Sequence, residues 1–515
     1  YYKKNNVVDN NRRIERTFAL SPDNNNLGLA DQTNYEHDFS VEQMLEKISF
    51  PDGTIDFYYE GGRLDVPGGK RLAKIEIRNS SGKFIKGVVF EHSYYTGSNC
   101  TDPQCYRLRL DAVKFTDKNN NVLPGYRFEY NRTPLPKRYS FNNDFSGLYN
   151  GNHGLTFKEY LPKHYFKANQ GKLTYLPFPL PLEGYQPAGG TSSLTPNLAF
   201  AKAGTLERMT LPTGGYSVFS YELNSFVFRN TVIEGGGLRI ASQSIYAEDN
   251  SIKRSITYDY NNGTTGSTSG NVVDLPRYFA YSPSTFNTIY NVMQRPVGGG
   301  ELTNNAFVGY GTCKISESGN GYTVNTYSNP GDTPDIHPTN YTVYLGEEPR
   351  ALQLFNTGLV PDIQQSMDIK RGALLSSKVY DNSGNLIKSI TNNYTYFQYS
   401  EVPVTQNIVL KPNPTIYQNG STDPYMQFQS KWASESFLLT SKSVEDKVGS
   451  ASITTTESYV FDPARPVLKE QQLLDSKNNT LKNAYFYPSD PEISALPNMN
   501  KLTNLNITTQ VRKKY

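Results

Sequence analysis

The stretch YDNSGNLIKSITNNYTY, from Tyr380 to Tyr396, separates two runs in which aliphatic or aromatic residues alternate with polar ones. Alternation with a period of two is typical of strands that expose one face to water. The residues between the runs are turn formers. The stretch therefore predicts a β-hairpin.

The same unit of strand, polar turn and aromatic strand recurs along the chain. Met44 to Glu60 (MLEKISFPDGTIDFYYE) and Thr205 to Glu222 (TLERMTLPTGGYSVFSYE) share it most closely. Looser copies run from Arg107 to Tyr130 and from Leu473 to Pro488. The copies are separated by insertions of different lengths, so the repeat has no fixed period.

The turns of the two closest copies share a proline and a glycine at matching positions, with one residue inserted in the second copy before its closing strand. Pro51 and Gly53 occupy the positions of Pro212 and Gly214. Proline fixes the φ angle that the first central position of a turn requires, and we expect the glycine to supply a left-handed residue.

These patterns predict an all-β fold, a large antiparallel sheet built from successive hairpins. Residues 1–200 are predicted to form an N-terminal β-hairpin segment with insertions, and residues 201–515 to continue the array with the same architecture. Two segments depart from the pattern: Phe39 to Ile48 is expected to form a short helical turn, and Val402 to Tyr425 an extended surface excursion.

Composition excludes several classes of function. The 51 basic and 48 acidic residues nearly cancel, which leaves no electrostatic footprint for nucleic acid. No apolar run approaches the roughly 20 residues that a membrane-spanning helix needs. The chain opens without methionine or a leader pattern and is interpreted as a piece of a longer polypeptide, so the missing signal leaves the compartment open.

The three cysteines are Cys100, Cys105 and Cys313. The first two flank a proline-containing turn, which favours a local disulfide and an oxidising compartment. The alternative, half of a zinc site, lacks a second pair of ligands. Cys313 is expected to be a buried structural thiol, and its pairing with His337 as nucleophile and base is disfavoured.

No other pattern amounts to a catalytic or metal-binding signature. The five histidines lack ligand spacing, the stretch from Asp117 to Glu129 lacks the glycine and glutamate of a calcium loop, and the adjacent Glu347 and Glu348 would point to opposite faces of a strand. We therefore predict no enzyme activity, no cofactor and no metal site.

The opening stretch resembles the YD repeat of the Rhs family, whose core is Tyr-Asp, two residues, Gly and a strand ending in Tyr-x-Tyr. The matching residues are Tyr380, Asp381, Gly384, Tyr394 and Tyr396. Other stretches resemble a more degenerate relative of this repeat in large surface proteins of Bacteroidota. They are LERMTLPTGGYSVFSYELNSF, GGGLRIASQSIY, GYGTCKISESGNGYTVNTYSNP and AYFYPSDPE. The stretch FSGLYNGNHG is similar to an Asn-Gly-rich insertion in the same proteins.

The resemblance implies a curved or shell-forming β-array that is secreted or displayed at the cell surface, in some relatives by type IX secretion. This chain differs from Rhs proteins in two respects: it has one good YD copy, and it has no Asp-Pro-x-Gly motif. The resemblance therefore does not imply encapsulation or self-cleavage.

Three functions remain open. The favoured one is a structural and interaction scaffold in an outer-membrane-associated assembly, whose partners are other protein subunits or the rest of its own chain. The alternatives are a carbohydrate-binding surface module, in which exposed tyrosines stack on sugars, and a polysaccharide-degrading enzyme.

Overall fold

A computed structural model describes most of the chain. The described residues are 2–21, 24–97, 101–138, 140, 142–152, 163–169, 172–176, 186–189, 193–263, 265–276, 279–282, 289–293, 306–336, 341–345, 348–350, 365–409, 425–449, 451–475, 477, 479–505 and 513–514.

The described residues are mostly β-strand. The strands of the first half are β1 (Tyr2–Ser21), β2 (Asn24–Leu45), β3 (Lys47–Phe50), β4 (Gly53–Glu60), β5 (Arg71–Asn79), β6 (Phe84–Thr96), β7 (Tyr106–Thr116), β8 (Val122–Tyr130), β9 (Lys163–Asn169), β10 (Lys172–Leu176), β11 (Gln186–Gly189), β12 (Leu206–Thr210), β13 (Tyr216–Phe228), β14 (Thr231–Tyr246) and β15 (Ile252–Asp259). Those of the second half are β16 (Gly270–Asn271), β17 (Phe279–Ser282), β18 (Ile289–Met293), β19 (Gly309–Tyr310), β20 (Thr312–Glu317), β21 (Gly321–Tyr327), β22 (Tyr341–Leu345), β23 (Glu348–Arg350), β24 (Leu374–Tyr380), β25 (Leu386–Val409), β26 (Tyr425–Val448), β27 (Ala451–Phe461), β28 (Leu468–Leu474), β29 (Thr480–Phe486) and β30 (Lys513–Lys514).

The helices are few and short. They are α1 (Leu198–Ala201), α2 (Pro491–Ser494), α3 (Met499–Asn504) and two 3₁₀ turns (Pro103–Cys105 and Asp368–Lys370). In the part of the chain that the structure describes, none of them is long and apolar enough to cross a membrane.

One antiparallel sheet of 18 strands dominates the fold, which confirms the predicted fold class. Its strands follow one another in chain order: β3–β8, β12–β15, β20, β21 and β24–β29. Smaller groups flank it: β17-β18-β1-β2, β10-β9-β11, β16-β19, β22 and β23 beside β26, and β30 beside β29.

The connections at one end of the strands differ from those at the other end, and we call each of these two ends an edge of the sheet. Because neighbouring strands are antiparallel and consecutive, alternate connections fall at opposite ends of the strands. Nine connections at one end, the tight-turn edge, contain two to five residues. At the other end, the long-connection edge, the connections contain six to 75 residues, except for the two residues between β13 and β14.

Alternation along the strands explains why they form a sheet. Lys47, Asp56 and Glu76 are register partners across β3, β4 and β5, and the Lys47 ammonium lies 3.0 Å from the Asp56 carboxylate. The next residues in the register, Ile48 and Ile55, project from the opposite face. Across β3–β5, one face of the sheet is therefore charged and the other apolar.

A tyrosine closes many of the hairpins. In six described hairpins the hydroxyl of a tyrosine within or just after the second strand donates to the backbone carbonyl of a leucine or isoleucine within or just before the first strand, over 2.7–3.2 Å. The pairs are Tyr59–Leu45, Tyr130–Leu110, Tyr221–Leu206, Tyr260–Ile240, Tyr394–Leu374 and Tyr487–Leu468. We call this contact the tyrosine latch; it gives the repeated unit a physical basis.

The main buried apolar cluster lies where β13 and β14 reach the long-connection edge. Phe145 from the 131–205 connection packs against Phe226 of β13 and Phe307 of the 260–311 connection, with ring centroids 5.8–6.2 Å apart. Phe226 is fully buried, and burial of such a side chain contributes about 1.5–3 kcal/mol. Insertions therefore supply five of the seven buried residues of this cluster.

Two local predictions were wrong. Residues 39–45 lie in β2 rather than in a helical turn, because β2 pairs with β1 along its length. Residues 402–409 continue β25 and pair with β26, so the predicted surface excursion is a strand there; residues 410–424 lie outside the described part of the chain.

Candidate interaction surface

Loops that a rigid scaffold positions are the usual location of binding residues, so the long-connection edge is the candidate functional surface. Five acidic side chains are buried among the described residues, and four of them lie at this edge: Asp65, Asp144, Asp335 and Asp490. The fifth, Glu76, lies within β5. Buried carboxylates need partners, and each of the four is held differently.

Asp65 fixes the 61–70 connection to β7. Its side chain is 1% exposed and accepts two hydrogen bonds from Arg63, at 3.0 and 2.8 Å, and one from the Leu108 backbone N–H at 3.0 Å. Arg138, from the 131–205 connection, adds a contact at 3.3 Å. Burial alone would raise the pKa of Asp65, but the hydrogen bonds from Arg63 and Leu108 outweigh it and lower the pKa.

Asp335 and Arg371 fold the 328–373 connection back on itself. Both side chains are 1% exposed and their charged atoms lie 2.6 Å apart. Arg371 also donates twice to the Thr333 carbonyl, at 3.0 and 2.8 Å, and the Met367 N–H donates to Asp335 at 2.6 Å. The pair therefore joins the two ends of this connection.

Asp490 fastens the segment after β29. Its two oxygens accept from Arg465, in the 462–467 connection, and from Lys469 of β28, both at 2.7 Å, and the Tyr487 N–H donates at 2.8 Å. Burial would raise the pKa of Asp490, but the hydrogen bonds from Lys469 and Arg465 prevail and lower it.

Asp144 shapes a tight loop beside Phe145. One oxygen accepts from the Ser146 N–H and hydroxyl and from the Leu148 N–H, at 2.7–3.0 Å. The second oxygen is buried and has no hydrogen-bond partner. Burial outweighs these hydrogen bonds and raises the pKa of Asp144.

A polar network joins β13, β14 and β19. The Tyr310 hydroxyl accepts from Arg239 at 2.8 Å and from the Ser225 N–H at 3.0 Å, and donates to Asn224 at 3.0 Å. Arg239 also donates to Glu222 at 2.6 Å. These contacts connect Arg239 of β14 and Tyr310 of β19 to β13.

The YD-like residues lie in one hairpin, β24–β25. Asp381 accepts from the N–H groups of Ser383 and Asn385, both at 2.8 Å, and Gly384 has a φ of +80°. The backbone and side-chain hydrogen bonds from Asn385 lower the pKa of Asp381. The same bonding by an Asp and an Asn four residues later shapes the turns at Asp117 and Asp475.

The three YD-like tyrosines have separate roles. Tyr380 stacks on its register partner Tyr322 at 4.7 Å, and Tyr394 forms a tyrosine latch. Tyr396 donates to the Glu435 carboxylate, and Gln365 donates to the Tyr396 hydroxyl at 3.0 Å. Burial and the Glu435 carboxylate raise the pKa of Tyr396 to about 12.

The two matched turns differ in their glycines. Gly214 has a φ of +86°, as expected. Gly53 does not have a positive φ; a Cβ there would lie 2.0 Å from the Arg78 carbonyl, so glycine is required because β5 approaches closely. Pro51 and Pro212 both lie in two- to five-residue connections at the tight-turn edge.

Cys105 is fully buried and disulfide-bonded, and Cys313 is a free thiol. Cys100 lies outside the described residues, so its pairing with Cys105 stays a prediction. Cys313 is half-buried rather than buried, and desolvation raises the pKa of its thiol to about 11, which opposes a nucleophilic role. His337 is not among the described residues.

Within the described ranges, no group of three or more His, Cys, Asp or Glu side chains converges to hold a metal ion. Sequence reasoning missed the four buried carboxylates. Their signal is weak: each is an aspartate outside the strands, and the arginines that contact three of them, Asp65, Asp335 and Asp490, lie from two to 73 residues away in the sequence.

No family model matches the chain, and no curated protein matches it. Solved structures of TcdB2–TccC3, without and with its hypervariable C-terminal region, are each 10% identical to it with a TM-score of 0.23, and the match covers 92% and 87% of this chain and 20% of theirs. The Tc holotoxin pore of Photorhabdus luminescens, with a mutated TccC3, is 10% identical with a TM-score of 0.10, over 85% of this chain and 21% of that one. The chain thus spans about a fifth of the length of the solved chains it matches.

Proposed function

We propose that the chain is a non-enzymatic structural and interaction scaffold, one segment of a large Rhs-like protein. The observation that carries the proposal is the single ordered sheet of 18 strands, in which each hairpin adds to its predecessor. Such an array extends a surface rather than enclosing a reaction cleft.

The long-connection edge is the working surface in this proposal. Buried ion pairs hold its insertions in fixed positions, as Asp65 and Asp335 illustrate. Preorganised loops bind partners at a lower entropic cost than mobile ones. The partners are other protein subunits or further parts of the same polypeptide.

The protein is secreted or displayed outside the outer membrane of a Bacteroidota cell, and type IX secretion is the proposed route. The disulfide at Cys105 supports an oxidising compartment. The Rhs resemblance of Tyr380 to Tyr396 supports the cell-surface location.

Cross-linking on intact cells tests the proposal. A membrane-impermeant, amine-reactive cross-linker should join lysines of this chain to a defined set of neighbouring subunits or to distant parts of its own polypeptide. If the protein that contains this chain reacts with the cross-linker only after cell lysis, the proposed location outside the outer membrane is wrong. Polysaccharide turnover by the purified protein, abolished by replacing a single carboxylate, would overturn the scaffold role and favour an enzyme.

A further inference from the structure

Charges do not balance beside the start of β7. Three arginines lie near the buried Asp65: Arg63 and Arg138 contact its carboxylate directly, and Arg107 immediately precedes Leu108, whose N–H donates to the same carboxylate. We call these three residues the arginine cluster. Three positive charges face one negative charge at this point.

Arg107 is the member of the cluster whose guanidinium forms no hydrogen bond with Asp65. Its Nη1 atom is buried and has no hydrogen-bond partner. An unpartnered buried donor is costly, and a guanidinium keeps its charge at any physiological pH. Burial and the neighbouring Arg138 both lower the pKa of Arg107, so its surroundings disfavour the positive charge.

A second unpartnered group lies on the same face of the sheet. The Ser93 hydroxyl of β6 is buried without a hydrogen-bond partner. Ser93 is the register partner of Arg109, and Arg107 is that of Tyr95, so Ser93 and Arg107 occupy diagonal positions on one face. Long side chains bridge such diagonal positions.

We propose that the arginine cluster, with Ser93, binds a small oxyanion group, a phosphate or a carboxylate. Guanidinium groups present paired donors that match these anions. Asp65 holds Arg63 and Arg138 in fixed orientations, while Arg107 and Ser93 keep free donors for the ligand.

The ligand would also join three parts of the chain. Arg63 belongs to the 61–70 connection, Arg107 to β7 and Arg138 to the 131–205 connection. A ligand that binds only the folded arrangement raises the stability of the whole protein. Anion binding and thermal stabilisation are therefore expected together.

Calorimetric titration with inorganic phosphate and, separately, acetate tests the site, with ionic strength held constant by NaCl. At least one of the two anions should bind saturably and raise the unfolding midpoint. Phosphate alone would identify a phosphoryl ligand, and acetate alone a carboxylate. Arg107→Gln should weaken binding by about tenfold or more, because a hydrogen bond to a charged group is lost.

Arg254→Gln is the matched control. Arg254 lies on β15, pairs with Glu317 and is half-exposed, so its loss should leave anion affinity unchanged. Arg138→Gln provides a second variant of the cluster, and far-UV circular dichroism checks that each variant is folded. If neither anion binds the unmodified protein, or if folded Arg107→Gln binds as tightly as it does, the proposal is wrong.

Discussion

The buried pair of Asp335 and Arg371 allows a quantitative test of how the long connections are held. Replacement of Arg371 by Met removes three hydrogen bonds and leaves the Asp335 carboxylate without a counter-charge at 1% exposure. Leaving one partner of a buried ion pair uncompensated costs about 3–5 kcal/mol. We expect Arg371→Met to reduce the free energy of unfolding by that amount.

A double variant separates the ion pair from simple packing. In Arg371→Met with Asp335→Leu no charge is buried alone, although the Met367 N–H loses its acceptor. That orphaned donor costs about 1–3 kcal/mol, so the double variant should be more stable than Arg371→Met alone.

Urea unfolding followed by circular dichroism measures the global effect, and hydrogen exchange at residues 365–373 measures the local one. Lys388→Met is the matched control, because Lys388 and Asp446 form a similar contact at 3.1 Å with side chains 42% and 50% exposed. An exposed pair of this kind contributes about 0–1 kcal/mol. If Arg371→Met proves no more costly than Lys388→Met, the buried pair does not hold the connection and the reasoning fails.

Further predictions concern the repeated hairpins, the titrating groups and the cysteines. Tyr394→Phe should lower the free energy of unfolding in urea by about 0.5–1.5 kcal/mol, because the tyrosine latch is lost. Tyr322→Phe keeps its stacking on Tyr380 and should be neutral. Equal effects of the two changes would show that the latch does not stabilise the hairpin. Gly384→Ala should destabilise by roughly 1 kcal/mol because of its positive φ, but Gly61→Ala, with open space around it, should not, as thermal melts would show. The pKa of Asp490 is lowered on folding, so its contribution is complete above about pH 4 and disappears as the pH falls through the lowered value. Urea midpoints of Asp490→Asn and the unmodified protein should therefore converge in acid, and a constant difference would contradict this assignment. Intact-mass analysis of the denatured, unreduced chain should find one alkylated thiol, Cys313, and three after reduction; three before reduction would exclude the disulfide.

The hairpins were predictable because their information is local. Alternation and turn residues within about 20 positions set the β24–β25 hairpin, and the left-handed Gly384 follows from its turn. Pairing with another strand is not visible in a local pattern. The apolar spacing of residues 39–45 suits a helix, yet residues 40–45 pair with β1. Gly53 shows the same limit, since its requirement comes from Arg78 on another strand.

The candidate surface was the least predictable part. Asp65 meets Arg138 across 73 positions, and neither residue stands in a motif. Nothing in the spacing of the buried acids distinguishes them from solvated ones, because Asp65, Asp335 and Asp490 each contact an arginine that is remote in the sequence.

The 131–205 connection joins β8 to β12, and those two strands are hydrogen-bonded neighbours in the sheet. The Asn131 amide also donates to Glu207 at 2.7 Å. A protease that cuts within this connection would therefore break the polypeptide but leave the hydrogen bonds between β8 and β12 in place. Two separately produced fragments, ending and beginning on either side of the cut, have the complementary edges needed to reassemble, as the halves of a split reporter do.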